Sequence, residues 1–377
     1  MPRVPDKSPG ITPDLQACLQ STKVDPITRQ EYVMRVGLVT GLRTVDIRDM
    51  PEPTPQPGKA VIEIGYCGIC GTDVHAYLSG QPYNPAICGH EWSGTVKAVG
   101  AGVSHVREGD RVAIGVATAC GQCGACRHGD ASHCELAFLG AIGAGPMAAP
   151  HGGFATAICF DAGRLYHVPN GINDSDAAIL EPATVAVHAL RRTPMRLGDT
   201  AVIIGGGPIG LLTLQAAKAS GAGKVILIEP ERSRRELGIE LGADVGIDPK
   251  TEDTAARLSA IVGASGADVV FECAGIPQTI QQAVSMVRRG GVVSLVGVAS
   301  HPAQIMPAEW LIKEVRLTSS IAYVHEDFEI TKDLVATGRI NVSKLHTSTS
   351  SLTDISRAFE KLADNPREVK ILIDPRA

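Results

Sequence analysis

Cys120, Cys123, Cys126 and Cys134 fall in one C-x2-C-x2-C-x7-C run. Four thiols closing within so short a loop match a tetrahedral zinc site. A site with all four positions filled by protein is structural, because no position is left for a substrate. The chain has ten cysteines. Their clustering argues for metal over cross-links, since thiols two residues apart favour metal in a reducing compartment. The run therefore predicts a small metal-stapled lobe inserted in a larger fold.

Length and charge narrow what that fold can serve. The 377 residues suffice for about two domains. Hydrophobic residues make up 44% and charged residues 20%, which supports a large core and argues against general disorder. A formal net charge of −5 lacks the basic face that a polyanion binder needs. Aromatics at 4% leave too few rings for a base-stacking platform. Residues 1–10 are polar and proline-rich, without the apolar segment of a secretory signal. The uncharged stretch 201–217 is short for a membrane span and is broken by Gly205-Gly206-Gly207-Pro208. No membrane or nucleic-acid partner is expected, and the expected location is the cytoplasm.

Residues 1–32 have mixed polarity and read as an N-terminal extension. From Met34 the pattern is β, with strands expected at 34–40, 45–48, 60–66, 94–99, 111–115, 153–160 and 165–168, punctuated by Gly and Pro. Around Asp174 the style changes. A helix is expected over 174–190, and then strands and helices alternate: strands at 201–204, 224–229, 267–272 and 291–298, helices at 208–220, 231–241 and 279–288. That alternation predicts an α/β domain with a doubly wound parallel sheet. Helices at 328–337 and 352–363 and a strand at 368–373 finish the chain.

The segment Gly205-Gly206-Gly207-Pro208-Ile209-Gly210 fits G-x-G-x-x-G between an expected strand and an expected helix. Glycines there permit a tight turn and close approach of a pyrophosphate, which the helix N-terminus then faces. Glu229 follows near the usual offset for a partner of a ribose hydroxyl. A carboxylate at that place repels a 2′-phosphate, so NAD is expected over NADP. Gly205, Gly207, Pro208, Ile209, Gly210 and Glu229 form the candidate cofactor site. Arg234 and Arg235 are the residues that would argue for NADP, although a helix surface is their simpler use.

A second metal site is suggested by Gly68-Ile69-Cys70-Gly71-Thr72-Asp73-Val74-His75 and Gly89-His90-Glu91. Cys70 and His90 are suitable zinc ligands, and a catalytic zinc keeps about three protein ligands with one position open. Glu91 and the Glu181 of Leu180-Glu181-Pro182 are both candidates for the third, and spacing does not choose between them. Cys67 makes a C-x2-C pair with Cys70, for which a redox pair and simple packing are the alternatives. Cys88, Cys159 and Cys273 read as buried filler.

From about Met34 onward, with these motifs in this order, the chain resembles the zinc-dependent medium-chain dehydrogenases of the alcohol and polyol type. The resemblance implies a Rossmann domain joined to a β-rich, GroES-like catalytic domain. Its boundaries would be an extension at 1–32, the catalytic domain with its zinc lobe at 33–183, the NAD-binding domain at 184–316, and a return to the catalytic domain at 317–377. It implies one catalytic and one structural zinc per subunit. Cys70 and His90 match the two fixed ligands of the catalytic zinc. Glu181 falls where liver-type alcohol dehydrogenases place a cysteine and polyol-type enzymes a glutamate. Glu91 matches an acid that ligates zinc in sorbitol dehydrogenases. Thr72 matches the residue that receives the alcohol proton, His75 the relay histidine, and Asp73 the hydrogen-bond partner of the zinc histidine.

The activity so implied is reversible hydride transfer from a secondary alcohol to NAD. Glu181 and the segment from Ile228 to Asp244 lean towards polyols, vicinal diols or hydroxy-amino acids, and resemble butanediol and threonine dehydrogenases. The interval from Cys70 to His90 is shorter than in the butanediol enzymes, which implies a different pocket loop. Alternatives are a carbonyl reductase on a specialised biosynthetic substrate and a non-catalytic zinc- and NAD-binding protein. The resemblance also implies a homodimer or homotetramer, with 292–298 and 304–306 as candidate edge strands joining two nucleotide domains.

Overall fold

A computed structural model of the chain describes residues 33–377. The expected extension at 1–32 lies outside the described residues. Seven strands come first: β1 (Val33–Gly41), β2 (Thr44–Pro51), β3 (Lys59–Gly68), β4 (Glu91–Val99), β5 (Arg111–Ile114), β6 (Ala157–Asp161) and β7 (Leu165–His167). Six parallel-sheet strands follow: β8 (Thr200–Ile204), β9 (Lys224–Ile228), β10 (Val245–Ile247), β11 (Ala267–Glu272), β12 (Val287–Leu295) and β13 (Arg316–Ser319). The chain ends with β14 (His346–Ser351) and β15 (Lys370–Asp374).

The first sheet runs β14-β15-β3-β4-β5-β7, with β6 also on β3. Its spine is β3, buried along most of its length. One edge of β3 is shared: β6 takes Lys59 to Glu63, and β15 takes Cys67 and Gly68. The last strand of the chain thus pairs beside the start of the Cys70 motif. The other edge of β3 pairs antiparallel with β4, in the register Gly68↔Glu91 and Cys67↔Trp92. That register sets the residues following β3 opposite those preceding β4.

The second sheet is wholly parallel, in the order β10-β9-β8-β11-β12-β13. Its central strands β8 and β9 are Ala, Val, Ile and Leu runs after a polar first residue, and β11 is buried along nearly its whole length, as a sheet covered on both faces requires. The chain winds from β8 through β9 to β10 and then returns to the far side of β8 with β11. The order therefore reverses between β8 and β11, where such sheets open a ligand crevice at their carboxyl ends.

Two differences from the sequence expectation have local causes. The helix expected over 174–190 is two helices, Asp174–Ala178 and Leu180–Arg192. Pro182 has no N–H to give to the Ala178 carbonyl, so a continuous helix cannot pass through it. The break leaves Glu181 in the first turn of a new helix. Segment 292–298 is not an edge strand: its ordered part belongs to β12, which is paired on both sides, and 304–306 is not a strand. The edge is β13. Among the described residues no helix is long and apolar enough to cross a membrane.

Candidate active site

Cys70 caps the helix Gly71–Ser79 that follows β3. Its Sγ accepts the Thr72 N–H at 3.5 Å, and the Asp73 carboxylate accepts the Cys70 N–H at 2.9 Å, a capping box. Asp73 is fully buried and also accepts from the Tyr83 hydroxyl at 2.7 Å and the Gly89 N–H at 3.2 Å. One carboxylate therefore ties the start of the Cys70 helix to the residue before His90. Burial raises the Asp73 carboxyl, and His90, Tyr83 and the two N–H groups offset part of that rise.

His90 donates from Nδ1 to the Ile87 carbonyl at 2.9 Å, since a carbonyl can only accept. The bond leaves Nε2 for the Cys70 side chain, with which His90 also hydrogen-bonds. The expected partner, Asp73, does not make this bond; it acts on His90 through its charge. Burial lowers the His90 pKa, but the neighbouring Cys70 sulfur, Asp73 and Glu181 carry it well above the ordinary histidine value. Glu181 is partly buried. Its pKa is pushed up to about 7 by burial, with His90 opposing and Glu91 reinforcing the rise, and the Tyr323 hydroxyl bonds to it. Cys70 and Glu181 thus both lie beside His90, although the three ligand atoms are not all within 4.8 Å of one another as those of the cysteine quartet are.

Glu91 takes a different direction. Its Oε2 accepts from Lys370 Nζ at 2.5 Å, and that ammonium also donates to the Ile69 carbonyl at 3.0 Å. Both side chains are 1% exposed. Lys370 had no signal in the sequence: it stands 279 residues from Glu91 and arrives only because β15 pairs with β3. Sulfur, imidazole and carboxylate gathered in a partly buried pocket, with more acids than bases around them, are the donor set of a borderline cation such as zinc.

Thr72 and His75 lie on the exposed side of the same helix, one turn apart. Thr72 Oγ1 is 3.7 Å from Cys70 Sγ. His75 Nε2 lies 3.4 Å from the Ser300 hydroxyl, which belongs to the loop beyond β12. The parallel-sheet domain and the Cys70 helix therefore touch through His75.

The crevice at the switch point opens beside them. Gly205 follows β8 with φ of +100°, a conformation that strains any side chain. A Cβ on Gly210 would stand 1.8 Å from the Gly205 carbonyl, so the helix Pro208–Ala219 approaches the turn as only glycine allows. Gly207 caps that helix and nothing lies within 4 Å of a Cβ built on it. Pro208 and Ile209 begin the helix, and its first N–H groups face the crevice without a side-chain cap, as an anion site requires. Glu229, just past β9, accepts the Gly206 N–H at 2.6 Å and the Glu231 N–H at 2.7 Å, each on a different oxygen. Arg235 is held by Asp248 at 3.0 Å and by the Glu229 carbonyl, and Arg234 by the Glu368 carbonyl.

In the cysteine lobe all four sulfurs lie within 4.8 Å of one another. Cys120 to Cys126 and Cys123 to Cys134 are both 4.0 Å. A tetrahedron with bonds of about 2.3 Å has edges of about 3.8 Å, so the quartet is sized for zinc. Backbone N–H groups already point at the sulfurs: Cys123 N–H to Cys120 and Cys120 N–H to Cys134, each 3.3 Å. The Cys126 and Glu135 N–H groups lower the Cys123 thiol to about 6, whereas burial and its neighbour push Cys126 up to about 12. Four thiolates this close need a cation among them. His128 and His133 are turned to the Gly124 carbonyl and to Asp130, away from the quartet. Cys67 is fully buried and burial raises its thiol, which suits packing and not redox exchange with Cys70.

A cavity of about 750 Å³ lies between the lobe, the helix Leu180–Arg192 and residues 319–326. Phe138, His188, Arg192 and His325 line it, and it ends on Tyr323, the hydroxyl partner of Glu181.

A partly buried thiol, imidazole and carboxylate beside a dinucleotide crevice, with a separate thiol quartet, define a metal-dependent dehydrogenase. The chain belongs to the zinc-dependent medium-chain alcohol and polyol dehydrogenases: residues 56–170 match the alcohol dehydrogenase GroES-like domain and residues 208–337 the zinc-binding dehydrogenase domain. It is 36% identical to 2-dehydro-3-deoxy-L-galactonate 5-dehydrogenase of Pseudoalteromonas atlantica, over 86% of this chain and 93% of that one. It is 31% identical to a sorbitol dehydrogenase of Bacillus subtilis, over 91% and 97%. The crystal structure of 2R,3R-butanediol dehydrogenase from Bacillus subtilis superposes with a TM-score of 0.79 at 32% identity, covering 91% of this chain and 99% of that one. The chain is thus a zinc-dependent oxidoreductase acting on secondary alcohols with a nicotinamide cofactor.

Proposed function

We propose that the chain interconverts a polyol or vicinal diol and its ketone with NAD, in the cytoplasm, as a homo-oligomer carrying two zinc ions per subunit. The observation that carries this reading is the placement of Cys70 and Glu181 beside His90, with the Cys70 helix joined to the nucleotide domain by His75 and Ser300. Cys70, His90 and Glu181 would hold the catalytic zinc, and Cys120, Cys123, Cys126 and Cys134 the structural one. When bound, zinc acidifies the alcohol and the nicotinamide accepts the hydride.

The chain's own residues do the rest. Glu91 stays on Lys370, close enough to add negative charge to the site while leaving a ligand position open. Thr72 Oγ1, beside Cys70 Sγ, takes the hydroxyl proton. His75, exposed and one turn away, passes it to solvent. Gly205, Gly207, Pro208, Ile209 and Gly210 seat the pyrophosphate, and Glu229 accepts a ribose hydroxyl. NAD is favoured because the Glu229 carboxylate stands where a 2′-phosphate would go and Arg234 and Arg235 are already engaged. A hydroxyl-rich substrate is favoured by Glu181 in place of a cysteine and by the relatives above, which are named for a sugar acid, sorbitol and butanediol.

The test is the initial rate of NAD and of NADP reduction with polyols, vicinal diols, sugar acids, L-threonine and simple secondary alcohols. A rate on polyols or diols, greater with NAD and abolished in Cys70→Ala, is the expected result. Rates confined to simple alcohols, or no rate with any class, reject the substrate reading.

A further inference from the structure

Two glutamates stand at the carboxyl ends of neighbouring parallel strands, one on each side of the switch point. Glu229 follows β9 and has a place in the cofactor site. Glu272 is the last residue of β11 and is fully buried. Its Oε1 accepts from the Ala274 N–H at 2.9 Å, the Gly275 N–H at 3.0 Å and the Thr279 hydroxyl at 2.7 Å. Its Oε2 has no partner. Among the described residues no cation pairs with it. Thr279 lies in the first turn of the helix Pro277–Met286 and the two N–H groups in the turn before it, so the positive end of that helix supplies part of the missing compensation. A buried carboxylate with one orphan oxygen and no cation is costly, and an oxygen kept in that state has a use that the protein alone does not show.

The location supplies the use. A Cβ on Gly205 would stand 3.0 Å from Ala274, so the turn that Glu272 organises forms one wall of the nucleotide crevice. The Glu272 carbonyl accepts the Val296 and Gly297 N–H groups at 2.9 and 2.8 Å, and Oε2 faces Gly297. Three residues further on, Ser300 meets His75 of the Thr72 helix. Hydride transfer needs the nicotinamide near Cys70 and His90. The nicotinamide half of the cofactor therefore lies on the β11–β12 side, and the adenosine half on the Glu229 side. The oxidised nicotinamide ring carries a positive charge; the reduced ring is neutral.

We propose that Glu272 sets the redox preference of the cofactor site: its uncompensated buried carboxylate favours the oxidised, cationic ring over the reduced one, while holding the two turns against which that ring lies. The proposal rests on the nicotinamide reading of the crevice. It makes Glu272 a positioning residue that acts through its field, distinct from Glu229, which bonds the far half of the same ligand.

The test is the dissociation constant of NAD+, NADH and ADP-ribose for the zinc-loaded protein, by calorimetry or nicotinamide fluorescence. In Glu272→Gln, NAD+ is expected to weaken roughly threefold to tenfold. NADH and ADP-ribose should stay unchanged. Glu272→Asp keeps the charge and should keep the NAD+ to NADH ratio. Equal weakening of both redox forms, weakening of ADP-ribose alongside them, or an unmoved ratio overturns the proposal. Wild-type protein that binds none of the three would overturn the cofactor reading itself, and this proposal with it. Intact wild-type binding with an unmoved ratio would remove only the role of Glu272.

Discussion

Lys370 is an ammonium with 1% exposure, and it is tolerated because Glu91 lies 2.5 Å away. Burial lowers the lysine pKa, but Glu91, Cys70 and Glu181 more than reverse this and hold it above the ordinary value. The pair is worth little as a source of stability, since a hydrophobic pair of equal volume would serve as well. Breaking it is a different matter, because the survivor stays buried and charged. Lys370→Met should therefore lose about 3–5 kcal/mol in denaturant unfolding. Adding Glu91→Gln should recover much of that loss, and the double mutant should be more stable than Lys370→Met alone. Additive losses in the two single variants would show that the ion pair is not what sets the cost. The cycle also bears on the catalytic site: a Glu91 freed by Lys370→Met has the Cys70–His90 cluster as its nearest alternative.

At the scale of elements, the cysteine lobe is the part whose structure depends most on something other than packing. Its helices, Gly124–Arg127 and Glu135–Ala141, are short and contain no buried residue, and Leu136, Phe138 and Leu139 are exposed. Metal binding is folding energy for such a unit. Cys123→Ser should lower the unfolding midpoint by several degrees and the zinc content by about one ion per chain. Full zinc content at normal stability would reject the structural role. The lobe was legible because its ligands are consecutive, and so were the strands β8, β9 and β11, which are apolar runs bounded by glycines. Other elements carried no such signal. The strand β14 is a run of Ser and Thr with alternating partial burial, so it has no apolar period to read. The helix Gly71–Ser79 was seen only as a ligand motif, because a cysteine cap is not a usual start signal. Lys370, Tyr323 and Ser300 reach the site from elements far along the chain, and nothing in their local sequence announces a partner.

For the whole molecule, the parallel sheet leaves β13 as an unpaired edge, and unpaired edges are surfaces that proteins cover or defend. The one charged residue of β13 is Arg316, and exposed apolar side chains lie around it. Leu311 is 79% exposed, Ile312 71% and Ile321 67%, with Leu317 of β13 itself at 46%. Apolar side chains gathered on both flanks of a free strand describe a contact surface, since scattered exposure would need no explanation and a contiguous patch does. A two-fold axis through β13 would pair it antiparallel with its copy and bury the patch against itself, a self-complementary arrangement of the commonest kind. The native mass by light scattering should therefore be a multiple of 39.4 kDa, with a dimer as the smallest unit. The double variant Leu311→Asp, Ile312→Asp should fall to the monomer mass and lose thermal stability. Leu197→Asp, equally exposed but in the turn before β8, should not change the mass. A wild-type mass of 39.4 kDa would leave the edge open and reject the pairing. Cofactor binding offers an independent reading of the same surface: β13 is bonded along its length to β12, and β12 leads into the loop that carries Ser300. A monomeric variant should therefore bind the nicotinamide half of the cofactor less well than ADP-ribose, because the loop that receives it follows β12, the strand bonded to the one that lost its partner.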